Sequence, residues 1–204
     1  DTDVSVADLI VSVSPGSSLR DLVNSNPDGT TFLIKPGVHR LLYAEEETAI
    51  SPKPNQKFIG EYGAILSGAK QLNVSEVKRE GNYYYFDGQT QETTPKPTTG
   101  YRSPIGTGVS GSGYACQEDS PRCNRNEEFY INDVPLKHVD NKGDLSAGEW
   151  WFDYGNNRIY FLDNPAGKKV EASVTQFAIV NWGNSGVQIK NLIVEKFSSP
   201  AQRS

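Results

Sequence analysis

The stretch Thr31-Phe32-Leu33-Ile34-Lys35-Pro36-Gly37-Val38 is echoed 26 residues later by Lys57-Phe58-Ile59-Gly60-Glu61-Tyr62-Gly63-Ala64. At that offset Phe32-Leu33 falls on Phe58-Ile59, Gly37 on Gly63 and Val38 on Ala64, so a strand, a glycine corner and another strand recur. A third pair of short apolar runs, Val187 to Ile189 and Leu192 to Val194, meets at Lys190-Asn191 and follows Asn184-Ser185-Gly186. Short strands at polar corners, with a period of about 20 to 30 residues and no long helices between them, predict a solenoid of β-coils. Upstream, Pro15-Gly16 breaks the chain, Ser17 or Ser18 can cap, and Leu19, Leu22 and Val23 share one face. That pattern predicts a two-turn helix over Ser17 to Asn24, too short to stand alone and therefore covering the first coil.

Between the second and third units the character changes. Asn82 to Phe86 is aromatic, Glu128 to Ile131 and Val134 to Val139 flank Asn132-Asp133, and Trp150 to Tyr154 and Arg158 to Leu162 flank Gly155-Asn156-Asn157. These are hairpin signals, so an antiparallel β insertion is expected. The chain divides into residues 1–71, a cap and the first coils; residues 72–174, the insertion; and residues 175–204, a further coil with an open end. Within the insertion, Gln89 to Asn126 is rich in Thr, Pro, Gly and Ser and reads as a long loop.

Composition narrows the setting. Twenty Lys plus Arg stand against 25 Asp plus Glu, a net charge of -5, so a nucleic-acid backbone would meet no basic surface. No run of about 18 apolar residues exists, so no membrane-spanning helix is expected. The chain opens Asp1-Thr2-Asp3 without Met or an apolar leader, as a mature or trimmed chain would. The two cysteines, Cys116 and Cys123, lie in the turn-rich stretch CQEDSPRC, which suits a local disulfide worth about 2.5 kcal/mol in the chain-entropy model. With only His39 and His138 to complete a soft-ligand set, no metal is expected, and a disulfide implies an oxidising compartment. Asn73-Val74-Ser75 is an acceptor sequon for glycosylation.

Phe58 to Gly68, Gly148 to Asp153, Arg158-Ile159-Tyr160 and Val187 to Glu195, with the opening Ser17 to Val38 pattern, resemble the N-terminal part of secreted bacterial proteins of the right-handed parallel β-helix type, the pectate-lyase-like superfamily. The resemblance implies an all-β fold, a right-handed parallel β-helix of few coils with a capping helix and an inserted antiparallel region, outside the cell. The superfamily holds lyases, glycoside hydrolases, tailspikes and adhesins, so it implies a carbohydrate-directed role without assigning a reaction. The expected partners are a polysaccharide or further copies of the chain stacking on the open coil near Val187 to Phe197, in the manner of an adhesin or filament. No cofactor is expected.

Glycan chemistry sets the candidate residues. Hydrolysis draws on carboxylates, and a lyase needs a base near a neutralised acidic sugar. Glu45-Glu46-Glu47 and Glu118-Asp119 read as solvated, whereas His39-Arg40 follows a coil corner where a groove residue would sit and is the catalytic candidate. Trp150, Trp151 and Tyr84 are candidates for stacking on a sugar, since adjacent strand residues face opposite ways. His138 reads as a hairpin surface residue. Asp140 to Asp144 lacks the distal Glu of a calcium loop, and Gly106 to Gly111 has dinucleotide-loop spacing without the strand and helix that would use it.

Overall fold

Phe32 and Phe58 stack with ring centroids 5.3 Å apart and no exposed surface, and the parallel ladders are built around such rungs. In this computed structural model residues 9–42, 50–91, 122 and 125–199 are described. Cys116 and Cys123, the Glu45 to Glu47 triplet, Glu118-Asp119 and the Gly106 to Gly111 loop lie outside them. The chain is mostly β, and the described residues hold a single α-helix. It divides into two units, Asp1–Gly68 with Thr175–Phe197, and Ala69–Val174 with Ser198–Ser204.

In the first unit, strands β1 (Ile10–Val13), β2 (Thr31–Ile34), β3 (Gly37–Arg40), β4 (Lys57–Gly60) and β5 (Ala64–Ser67) precede the insertion. Helix α1, Leu19–Ser25, starts where Ser18 accepts a hydrogen bond from the Asp21 amide, and it buries Leu19 and Val23. Two wholly parallel sheets form: β1-β2-β4 is completed by a late strand at Gln188–Lys190, and β3-β5 by one at Ile193–Glu195. Val13, Phe32, Ile34, Phe58, Leu66 and Ile50 pack in their common core, and Ile50 bridges in parallel to Ile179. Gly60 is obligatory in this stack, because a Cβ there would lie 2.2 Å from the Asn191 carbonyl oxygen.

The 26-residue offset holds for β2 on β4 and fails by one residue for β3 on β5. Gly37 pairs with Ala64 and Val38 with Ile65, because the second corner has three residues, Glu61 to Gly63, where the first has two. A one-residue slip exchanges the two faces of a strand. His39 therefore pairs with the buried Leu66, so it faces the core instead of a groove.

The second unit adds β6 (Ala69–Leu72), β7 (Lys78–Glu80), β8 (Tyr83–Phe86), β9 (Phe129–Ile131), β10 (Val134–Pro135), β11 (Lys137–His138), β12 (Glu149–Asp153), β13 (Arg158–Phe161) and β14 (Val170–Ser173), which leaves β15 and β16 for the late strands of the first unit. Sheet β10-β9-β14-β6 is antiparallel, and β11-β12-β13-β8-β7 is antiparallel except where β11 runs parallel to β12. Asn132 and Asp133, both at positive φ, make the two-residue turn of the β9-β10 hairpin. Phe129, Val170 and Leu72 of one sheet meet Trp150, Phe152, Ile159, Phe161 and Phe86 of the other in one buried cluster. The alternating pattern of β12, with Trp150 and Phe152 inside, follows from that packing.

Candidate functional site

The other face of the five-stranded sheet carries a second set of side chains at alternate positions, packed in a smaller cluster with Val139 and Leu145. Trp151, Tyr160 and Tyr85 stand on adjacent strands in register, with centroid spacings of 5.5 Å and 5.1 Å. Charged groups border these rings. Arg158 donates to Asp87 at 2.6 Å and, at 3.3 Å, to the Tyr160 hydroxyl, which donates to Glu80 at 3.1 Å. Lys142 Nζ lies 4.1 Å from the centre of the Tyr160 ring and 2.5 Å from Glu80 Oε1. Lys78 closes the chain of charges on Asp87 at 2.5 Å. The hydrogen bond from Lys78 holds the Asp87 carboxyl below its usual range, and that from Lys142 does the same for Glu80.

Lys78 and Asp87 also line a depression of about 540 Å³ at the edge where β6 and the β7-β8 hairpin approach. Leu72 and Phe86 border it while remaining part of the buried cluster, and Gln71, Asn73, Glu76 and Gln89 supply amides and a carboxylate. Gln89 is 4% exposed and fixed: its Nε2 donates to the Asp87 carbonyl at 3.0 Å, and its Oε1 accepts from Gln91. Asn73 is exposed and caps a short 3-10 turn, accepting from the Ser75 amide and hydroxyl and donating to Glu76. Donors and acceptors gathered on one depression match a ligand rimmed with hydroxyls.

The residues singled out from sequence are dispersed. His39 is 2% exposed with Nε2 2.8 Å from the Lys35 carbonyl oxygen, and its groove assignment is corrected to a core position. Arg40 is half-buried opposite Ser67. Trp150 is 1% exposed between Phe129, Phe152 and His138, so neither of its faces is left for a sugar. Tyr84 faces the same interior, on Phe161 and under the Arg79 guanidinium. Trp151 alone of the three stands on the other face of the sheet, half-buried against Tyr160, and nothing in its local sequence distinguishes it from Trp150. His138, expected at the surface, lies flat on Trp150 at 3.9 Å. Asp87 and Gln89 were missed because their placement depends on pairing with β13 and on a turn, which local pattern does not reveal. Tyr62 and Trp182, in the first unit, are 100% and 76% exposed and were not singled out either. Among the described residues no three carboxylate, His or Cys side chains gather as metal ligands, and no helix is long and apolar enough to cross a membrane.

Stacked parallel strands interrupted by a β-sandwich define a mostly-β architecture, and a solved structure shares it. The chain aligns over 94% of its length with 36% of a structure described as the complex of XylC with xylose, at 13% identity and a TM-score of 0.63. A second structure, described as a glycoside hydrolase, aligns over 93% of this chain and 51% of its own, at 9% identity and a TM-score of 0.49. The chain thus spans about a third and a half of those two proteins. The likeness to XylC is one of fold. No family model and no curated protein matches the chain.

Proposed function

We propose that this is a carbohydrate-directed protein in which the first unit is a segment of right-handed parallel β-helix and the second unit holds a glycan in the depression beside Asp87. One observation carries the reading: fixed Gln89, Asp87 and Lys78 line one depression with Gln71, Asn73 and Glu76. The xylose complex of XylC supports a carbohydrate as ligand, and the resemblance to secreted proteins supports an extracellular setting, with the Cys116–Cys123 disulfide as part of it. A panel of soluble polysaccharides, beginning with xylose-containing ones, tests the reading by affinity electrophoresis. Binding to at least one glycan is expected, weakened at least tenfold in Asp87→Ala, which loses about 1.4 kcal/mol. Failure of every glycan to bind would overturn it.

A second reading, self-assembly through β15 and β16, the edge strands of the parallel sheets among the described residues, rests on Ile189 and Val194. They take the rung positions of fully buried Phe58 and Leu66, yet stand 50% and 53% exposed. Sizing by light scattering at high concentration decides it: oligomers that Val194→Lys dissolves support stacking, and a monomer throughout rejects it.

A further inference from the structure

The corner between β4 and β5 presents an aromatic side chain to solvent from a backbone held on two sides. Tyr62 is 100% exposed, at the second position of a four-residue turn that the Ala64 amide closes on the Glu61 carbonyl at 2.9 Å. Gly63, at φ 85°, takes the third position in the left-handed conformation that a type II turn requires there. The preceding corner fastens this turn. The Glu61 amide donates to the Ile34 carbonyl and the Gly37 amide to the Gly63 carbonyl, both at 2.9 Å, and Lys35 pairs with Glu61 at 2.5 Å.

A cavity of about 570 Å³ opens beside the ring. Its apolar side is Leu192 and Ile193, the latter 50% exposed, and its polar side is Asn191. Asn191 is exposed, at φ 57°, and its side-chain amide has no hydrogen-bond partner among the described residues. The β15-β16 corner that carries it is packed on the first corner, since its backbone carbonyl occupies the space where a Gly60 side chain would be. No residue lining this cavity bears a charge, whereas Lys70, Glu76, Lys78 and Asp87 line the depression of the second unit.

We propose that this corner of the first unit is a further glycan subsite, selective for an uncharged sugar ring that stacks on Tyr62 and is oriented by the Asn191 amide. A pyranose offers a C–H face to an aromatic ring, and neighbouring hydroxyls that donate and accept. A side-chain amide, with its N–H donors and carbonyl oxygen, pairs with two such hydroxyls at once. The ring is borne on a fixed turn, so binding orders little that is not already ordered. A carboxylated sugar would bring its charge to a wall that has no cation to receive it. The subsite is lined by the first unit alone and is therefore separate from the depression beside Asp87.

Heteronuclear NMR of the intact protein is titrated with xylohexaose and cellohexaose as neutral probes and an oligomer of galacturonic acid as an acidic one. A neutral probe should saturably shift the amides of Tyr62, Gly63, Asn191 and Ile193, and the acidic one should leave them in place. Tyr62→Phe, which keeps the stacking ring, should retain that affinity, and Tyr62→Ala should lower it about tenfold. Asn191→Gly keeps the left-handed backbone and removes only the amide, so it should weaken binding while the turn stays intact. Unmoved amides with both neutral probes, undiminished binding in Tyr62→Ala, or equal binding of the acidic oligomer at this corner would each overturn the subsite. So would shifts of the same amides with protein concentration alone, which would mark a contact between copies. The amides of Gln71 and Gln89 report the depression separately, so failure of one site is distinguished from failure of the other.

Discussion

Gly60 and Trp150 each perform a task that a neighbour of similar type does not. The atom missing from Gly60 would meet the Asn191 carbonyl oxygen, which belongs to backbone and cannot swing away. Gly60→Ala is expected to lower stability by about 1–3 kcal/mol through overpacking, measured by urea unfolding. Gly81, at positive φ in open space, shows why the glycine count does not identify such a site. The adjacent tryptophans separate likewise: Trp150→Ala should cost about 3–5 kcal/mol as a core truncation, and Trp151→Ala clearly less. Strand alternation made it legible that one ring of the pair turns inward. Which one does so is set by Phe129 and Val170, distant residues whose sheet packs on that face.

At the scale of elements, local signals and long-range pairings had unequal visibility. Helix α1 with its Ser18 cap and the turns at Asn132-Asp133 and Asn157 are written in contiguous residues, and the structure has them where the local chemistry puts them. The β3-β5 register is not, because one extra corner residue in Glu61 to Gly63 shifts it and sets the buried Leu66 opposite His39. The pairing of β6 with β14 is fixed only once the whole insertion has folded, so the depression it borders had no sequence signature. The β7-β8 edge also carries a pH dependence. Asp87 and Glu80 are held below their ordinary pKa values by Lys78 and Lys142, so their stabilisation is present above the unfolded carboxylate range and lost as pH falls through it and below. Acid titration of the midpoint should therefore show a decline beginning near about pH 4.5, shallower in Asp87→Asn.

At the scale of the molecule, the chain leaves the first unit at Gly68 and re-enters it at Thr175, whose amide donates to the Gly68 carbonyl at 3.1 Å. The core rungs Phe32, Phe58 and Leu66 come from the first unit alone. Replacing residues 69–174 by a short Gly-Ser linker is thus expected to leave a cooperatively melting β structure by circular dichroism, and loss of that transition would show that the first unit depends on the insertion. The depression proposed to hold a glycan, by contrast, is lined entirely by the second unit. Heteronuclear NMR of the intact protein titrated with xylose-containing and other oligosaccharides tests that placement most directly. A saturable ligand should shift the amides of Gln71, Asn73, Lys78, Asp87 and Gln89. A glycan that binds while leaving those five unmoved, or the absence of any binding glycan, would contradict the assignment.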